Sequence, residues 1–357
     1  MSRRGANEYY KHDDFRDDKK SKKKSGKKFI VTILVILIIL ILIVLGVYLY
    51  AKHKLSYMKY SPIDDKDLAI NSNLYNQVNT QVNTNLTKDQ FNDVKNIVLF
   101  GSDSRDSSDM EAGRSDTIII SSINPNKKSL KLISIPRDTY VSILNHGKTK
   151  INAAYAYGQE ELAINTINSN FGLNLDKYIT IDFSGLIDVI DKIGGVTITI
   201  DKDEMNYINE GVKNWTDTGS SNKEILSKYG KVTLNGKQAL IYSRDRTTGN
   251  GNDFERSNRQ RTLIEAILNK ISKMSYNKVL SLSDSILKDV KTNITSDEYI
   301  SLLTSIFKDR NEYLKNITST QIPSTDYAKS EMIGGIYYFV ADMNKAKTDF
   351  VDYMFNK

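Results

Sequence analysis

Nine arginines follow residue 50, against 30 lysines, and they are not scattered as a solubilising charge would be. Arg105, Arg114 and Arg137 fall at the ends of β-branched runs or in the loops between them. Arg244, Arg246, Arg256, Arg259 and Arg261 crowd into the 18 residues from 244 to 261, and only Arg310 lies elsewhere. A guanidinium is a planar, bidentate fork that suits phosphate oxygens; an ammonium is not. Arginine concentrated in a lysine-rich chain points to anion recognition, with a solvated face or internal ion pairs as the plain alternative. Arg256 and Gln260 stand four residues apart with Arg259 beside them, so one helical face carries two guanidiniums and an amide. Arg261 points off that face and reads as structural. Asn252 and Asp253 are N-cap types, and a helix starting there adds the partial positive charge of its own N-terminus.

Carboxylates sit inside the same basic segments. Asp103 follows the run NIVLFGS, and Asp116 precedes TIIISS beside Arg114. Carboxylates from adjacent strand ends can share one Mg²⁺, with phosphate oxygens and water completing the octahedron. Such an ion is useful wherever a phosphate reacts. Asp106 and Asp109 read as turn formers. Lys150 in TKINAAY either reaches a phosphate or faces water, and Gly194-Gly195 reads as a helix C-cap rather than a phosphate loop. The chain has no cysteine, which removes disulfides, thiolate metal sites and cysteine nucleophiles. Its three histidines are His12, His53 and His146, a poor basis for a histidine metal site or a Ser-His-Asp triad. No GxxxxGK[ST], HExxH, G-x-S-x-G or EF-hand pattern occurs.

The elements that must hold these groups alternate. Short β-branched runs at 96–100, 117–123, 130–135, 178–182 and 196–200 read as strands. Helical stretches fit 159–170, the segment ending at Gly194, part of 231–243, and 254–273. This alternation predicts an α/β domain, with helices covering a central sheet, over 91–357. Residues 51–90, polar and rich in Asn, Gln and Asp, read as a stalk or entry segment, part of which, LAINSNLYNQV, has weak helical spacing. Phe29 to Tyr50 is 22 residues without a charged side chain. As a helix it would extend about 33 Å, enough for a hydrocarbon core of about 30 Å. The lysine-rich 19–28 segment before it places a cytoplasmic tail at 1–28 and the rest outside the cytoplasm. Net charge is +7, of which the tail carries +6 (eleven Lys/Arg, five Asp/Glu) and the remaining 329 residues +1. The basicity therefore belongs to the tail and does not mark the domain as a nucleic-acid binder.

Several segments together are similar to one family. GSDSR (101–105), RSDTIII (114–120), SIPRDTYV (134–141), KINAAYAYG (150–158), IDKIGGV (190–196), LNGKQALIYSRDR (234–246) and DFERSNRQR (253–261) resemble the LytR-CpsA-Psr family in content, order and spacing, and TNIT (292–295) extends the likeness. The resemblance implies an α-β-α domain, its central sheet mixed and flanked by helices, behind one membrane helix. It also implies a phosphotransferase that moves a glycopolymer, such as a wall teichoic acid or capsule, from a polyprenyl diphosphate to peptidoglycan. By motif it places Mg²⁺ on Asp103 and Asp116. Arg137, Arg244, Arg246, Arg256 and Gln260 fall around the pyrophosphate, with Arg105, Arg114 and Asp253 nearby and Lys150 and Arg259 as further candidates. The lipid tail of such substrates lies in an apolar tunnel of the domain. Two departures stand out: Ile143-Leu144-Asn145 replaces an I-P-G, and Gln159 follows Gly158 where a second glycine is usual. Both read as loops away from the arginines.

The function expected is therefore a Mg²⁺-dependent phosphotransferase anchored in a Gram-positive-type cell membrane with its catalytic domain outside. Its partners would be the lipid-linked polymer and peptidoglycan. Two other readings stay open at this level: a lipid pyrophosphatase using water as acceptor, and a membrane-anchored lipid-binding or regulatory module.

Overall fold

Isoleucine-rich runs such as 117–123 are too apolar for a half-solvated strand, and they occupy the middle of a sheet buried on both faces. The computed structural model describes residues 59–81, 86–102, 113–215, 224–249, 253–275, 277–279, 282 and 289–355, all within one compact unit, residues 52–357. The apolar segment 29–50 and the residues Asp103 and Arg105 lie outside the described residues. Among those described, no helix is long and apolar enough to cross a membrane.

Among the described residues the main sheet has seven strands: β1 (Lys59–Tyr60), β2 (Lys95–Ser102), β3 (Ser115–Asn124), β4 (Ser129–Ser134), β7 (Lys177–Asp182), β10 (Val290–Thr292) and β11 (Ile317–Gln321). Their order is β1-β10-β7-β2-β3-β4-β11. The sheet is mixed, as expected: β2 is parallel to β7 but antiparallel to β3. Strand alternation sends Val98, Phe100, Ile118 and Ile120 to one face and Ile97, Ile119 and Ile123 to the other. The first face packs on α1 (Leu74–Gln81), α3 (Ala153–Phe171) and α10 (Met343–Phe355) through Val78, Ile164, Phe171 and Phe350. The second packs on α7 (Asp253–Ser272) and α8 (Ser296–Lys308) through Ile264, Leu268, Leu302 and Ile306. Thr292 and Asn293 of TNIT bond to the backbone of Tyr178 and Asp176, tying β10 to β7.

A third core joins α4 (Phe183–Lys192), β8 (Val196–Ile200), α5 (Lys202–Lys213), β9 (Gly230–Leu234) and α6 (Gly236–Arg244). Local signals set these elements. Asp201 with Glu204, and Asn235 with Gln238, form capping boxes. Gly194 and Gly195 both have positive φ, and Gly195 N–H donates to the Ile190 carbonyl, so this pair is the helix cap that the sequence suggests. Gly236 is needed for close approach, because a Cβ there would lie 2.3 Å from the Ile187 carbonyl oxygen.

Two readings of the sequence are corrected. The segment expected as a stalk contributes Leu68, Leu74 and Val78 to the first core, and β1 adds a strand to the sheet. Gly158-Gln159 is not a loop but a break within α3, with Gln159 at φ 54°, ψ −149°. That region is nearly reserved for glycine, and holding another residue there costs about 1–3 kcal/mol. The break sets Glu160 in the interior, where Tyr155 OH and Thr180 Oγ1 donate to one oxygen and Lys291 Nζ lies 2.9 Å from the other. Burial, aided by Glu160, pushes the Tyr155 phenol well above its usual range. Asn145, in the turn between β5 (Tyr140–Ile143) and β6 (Gly147–Lys150), is also left-handed, at φ 62°.

Relief of this strain outweighs the entropy that glycine adds to the unfolded chain. Gln159→Gly should therefore stabilise the protein by about 1 kcal/mol in denaturant titration, whereas Gln159→Ala should not.

Candidate active site

Strand register brings the reactive groups to one end of the sheet. Ser102, the last residue of β2, pairs with Asp182 of β7 on one side and Ser115 of β3 on the other. Asp116 follows Ser115. Because β4 runs antiparallel to β3, the chain leaving it passes the same edge: Ile135 N–H donates to the Ile118 carbonyl, and Pro136-Arg137 comes next. Arg137 Nη1 then donates to Asp116 Oδ1 at 2.6 Å.

Against this edge, α4, α5, α6 and the start of α7 enclose a cavity of about 790 Å³. Asp116, Arg244, Arg246, Arg256 and Gln260 all line it. Arg137 joins them through Asp116. Arg256 is 3% exposed, whereas Arg244 and Arg246 are exposed at the rim, with the Arg244 guanidinium 4.8 Å from the centre of the Phe183 ring. Apolar side chains also line the cavity, among them Leu186, Leu240, Ile241 and Trp215, with Tyr207. Guanidiniums, carboxylates and hydrocarbon lining one cavity suit an amphiphile with an anionic head.

The motif YSRDR works by alternation. Asp245, between the two rim arginines, is 1% exposed and accepts hydrogen bonds from Thr247 N–H at 2.8 Å, Thr247 Oγ1 at 3.0 Å and Thr248 Oγ1. Burial alone would raise its carboxyl, but the bonds from Thr248 and Thr247 and the nearby Arg259 hold it below its usual value. The inward Asp245 thereby turns its arginine neighbours outward.

Two candidates are placed differently from expectation. Arg259 is not on the cavity wall. Its Nε donates to Glu204 Oε1 at 2.8 Å, and Nη1 and Nη2 reach the Asp245 carbonyl and Thr248. It locks α7 to α5 and to the YSRDR turn, drawn aside by Glu204, the Asp245 carbonyl and Thr248. Lys150 is bound at 2.6 Å to Asp138 and lies above the Tyr337 and Tyr338 rings, also off the wall. Arg114 is exposed just before β3, and Arg261 is buried on Ser134 and Asn258. Asp253 begins α7; Asp103, Arg105 and Asn252 lie outside the described residues.

Sequence reasoning missed Asp182, Tyr207 and Trp215. The signal for Asp182 was present: an Asp ends a strand directly before F-S-G and a helical run, which makes it an N-cap at a sheet edge.

Hard oxygen donors are the chemistry that Mg²⁺ takes. Asp116 and Asp182 both line the cavity, and Asp182 Oδ2 is buried without a hydrogen-bond partner among the described residues. These residues fit such an ion, although no group of three or more His, Cys, Asp or Glu among the described residues converges to hold one.

The model of the LytR_cpsA_psr family matches residues 48–350. The chain belongs to this family. Among its relatives is polyisoprenyl-teichoic acid–peptidoglycan teichoic acid transferase TagU of Bacillus anthracis, 30% identical over 85% of this chain and 91% of TagU. The TagU of Oceanobacillus iheyensis is 33% identical over 73% of this chain and 77% of its own length. A solved structure of TagT bound to LIIa-WTA has a TM-score of 0.60 at 26% identity, covering 77% of this chain and 96% of TagT. TagV of B. subtilis gives a TM-score of 0.57 at 28% identity, covering 73% of this chain and 96% of TagV. The LytR_cpsA_psr assignment agrees with the SIPRD, YSRDR and DFERSNRQ segments that compose the cavity and its surroundings.

The arginines of this family member should separate by stability. Arg259→Ala strands Glu204 and Asp245 in a buried setting and should cost about 3 kcal/mol. Arg244→Ala, at the exposed rim, should cost less than about 1 kcal/mol. Thermal melting of the two variants beside the parent checks this.

Proposed function

We propose that this chain transfers an anionic glycopolymer, of the wall teichoic acid or capsule class, from a polyprenyl diphosphate carrier to a hydroxyl of peptidoglycan. Polyprenyl phosphate is released. The observation that carries this reading is one cavity lined both by guanidiniums and carboxylates (Arg244, Arg246, Arg256, Asp116, Asp182) and by apolar side chains (Leu186, Leu240, Ile241, Trp215). The names of the relatives support the same substrate class.

The acceptor hydroxyl gives its proton to a nearby carboxylate or to solvent, and its oxygen bonds to the polymer-bearing phosphorus while the bond from that phosphorus to the bridging oxygen breaks. Little covalent work falls to the protein, so its task is positioning and charge. Arg244 and Arg246 capture the diphosphate at the rim. Arg256, held in a dry setting, meets the charge that builds on the phosphoryl oxygens, where it acts more strongly than in water. Arg137 keeps Asp116 oriented, and Gln260 donates from the next turn of α7. Mg²⁺, held by Asp103 and Asp116, would supply charge neutralisation to the same oxygens. The apolar side chains of the cavity receive the first isoprenoid units. In this reading the 29–50 segment spans the membrane once, the 1–28 tail is cytoplasmic, and the domain works outside.

The test uses full-length protein in detergent with a short-chain polyprenyl-diphosphate oligosaccharide, peptidoglycan fragments and Mg²⁺, read by mass spectrometry. A phosphodiester-linked glycan should form on the fragments and vanish on chelation. Arg256→Ala and Arg244→Ala should each lower the rate by about 10²–10³. Free sugar phosphate with bare fragments would replace transfer by hydrolysis, and unchanged carrier would leave a binding module.

A further inference from the structure

Asp182 does two separate things with its two oxygens. Oδ1 accepts from Gly185 N–H at 2.7 Å and from Ser184 Oγ at 2.8 Å, capping α4. Among the described residues Oδ2 has no hydrogen-bond partner, although the residue is only 1% exposed. Capping needs a single acceptor, and Ser or Asn caps as well as Asp. The helix therefore explains one oxygen and leaves the other, a desolvated carboxylate oxygen, without a reason. An orphan of this kind in a folded protein calls for a specific cause, an ion among them.

Position supplies the cause. Asp182 lines the same cavity as Asp116. The register of β2 sets Ser102 between Asp182 and Ser115, so residues 116 and 182 flank the strand end from which Asp103 follows. No arginine of the site pairs with Asp182 among the described residues; its neighbour Phe183 receives Arg244 instead. The cap bonds fix the carboxylate, so its second oxygen is pre-oriented at no further entropic cost. We propose that Asp182 is a third carboxylate of the cation site, its Oδ2 holding the divalent ion directly or through one water. This rests on the cation reading given above.

Mn²⁺, visible by electron paramagnetic resonance, is the probe, titrated into the full-length protein in detergent with inorganic diphosphate present. The variants are Asp182→Asn, Asp182→Ser and Asp116→Asn. The first two keep an N-cap acceptor, so metal-free melting temperatures should equal or exceed that of the parent, because a buried unpaired charge is gone. Mn²⁺ affinity should fall at least about tenfold in both, and the rise in melting temperature that Mn²⁺ gives the parent should shrink with it. Parental Mn²⁺ affinity in Asp182→Asn and Asp182→Ser, with loss in Asp116→Asn, would overturn the third ligand and leave the cation reading intact. A parent that binds no Mn²⁺ would overturn both. Lowered metal-free stability with unchanged affinity would make Asp182 a helix cap only.

Discussion

The pairing of β2 between β3 and β7 is the constraint on which the site depends. β2 is buried through Val98 and Phe100 on one face and Ile97 on the other, so a register slip would expose one set and bury polar backbone neighbours in its place. The register that satisfies both faces also fixes which residues end together. Ser102, Ser115 and Asp182 reach one edge because their strands have no other way to bury their isoleucines. The site's carboxylates are thus placed by hydrocarbon packing far below them.

The arginines depend on a different kind of support. Those that face the cavity are held by neighbours that do not. Arg259 joins Glu204, itself half of a capping box, to the Asp245 turn, so the start of α5, the end of α6 and the first turns of α7 form one charged joint. Arg261 anchors α7 to Ser134 at the end of β4. Charges buried in this way have little room to move, which is the condition for electrostatic catalysis without reorganisation. A cluster of five arginines in the sequence therefore divides into three that meet the cavity and two that hold the first three still.

Much of this was legible before any coordinates. The central strands declared themselves through β-branched runs, the cap at Gly194-Gly195 through paired glycines, and the cavity face of α7 through the spacing of Arg256 and Gln260. What the sequence hid depended on long-range packing. Leu68, Leu74 and Val78 are too sparse among Asn and Gln to announce a core, and only the facing α3 and α10 give them partners. Gly158 marks the break at Gln159, but the buried Glu160 network that accompanies a glutamine there is not legible in the sequence. Arg259 was misplaced because its partner Glu204 lies 55 residues away. Asp182 was passed over because a strand-ending Asp has an adequate local role in capping.

The inward turn of Asp245 has a consequence for how this surface tolerates change. Its two arginines flank a single inward carboxylate, and Arg244 rests on the Phe183 ring besides. Losing one residue from this turn would shift the phase of everything after it. The carboxylate would then swing to the mouth and a guanidinium would enter the pocket of threonines. The opening would change from attracting anions to repelling them without any charge being added or removed. Length, at this turn, is as much a chemical specification as composition.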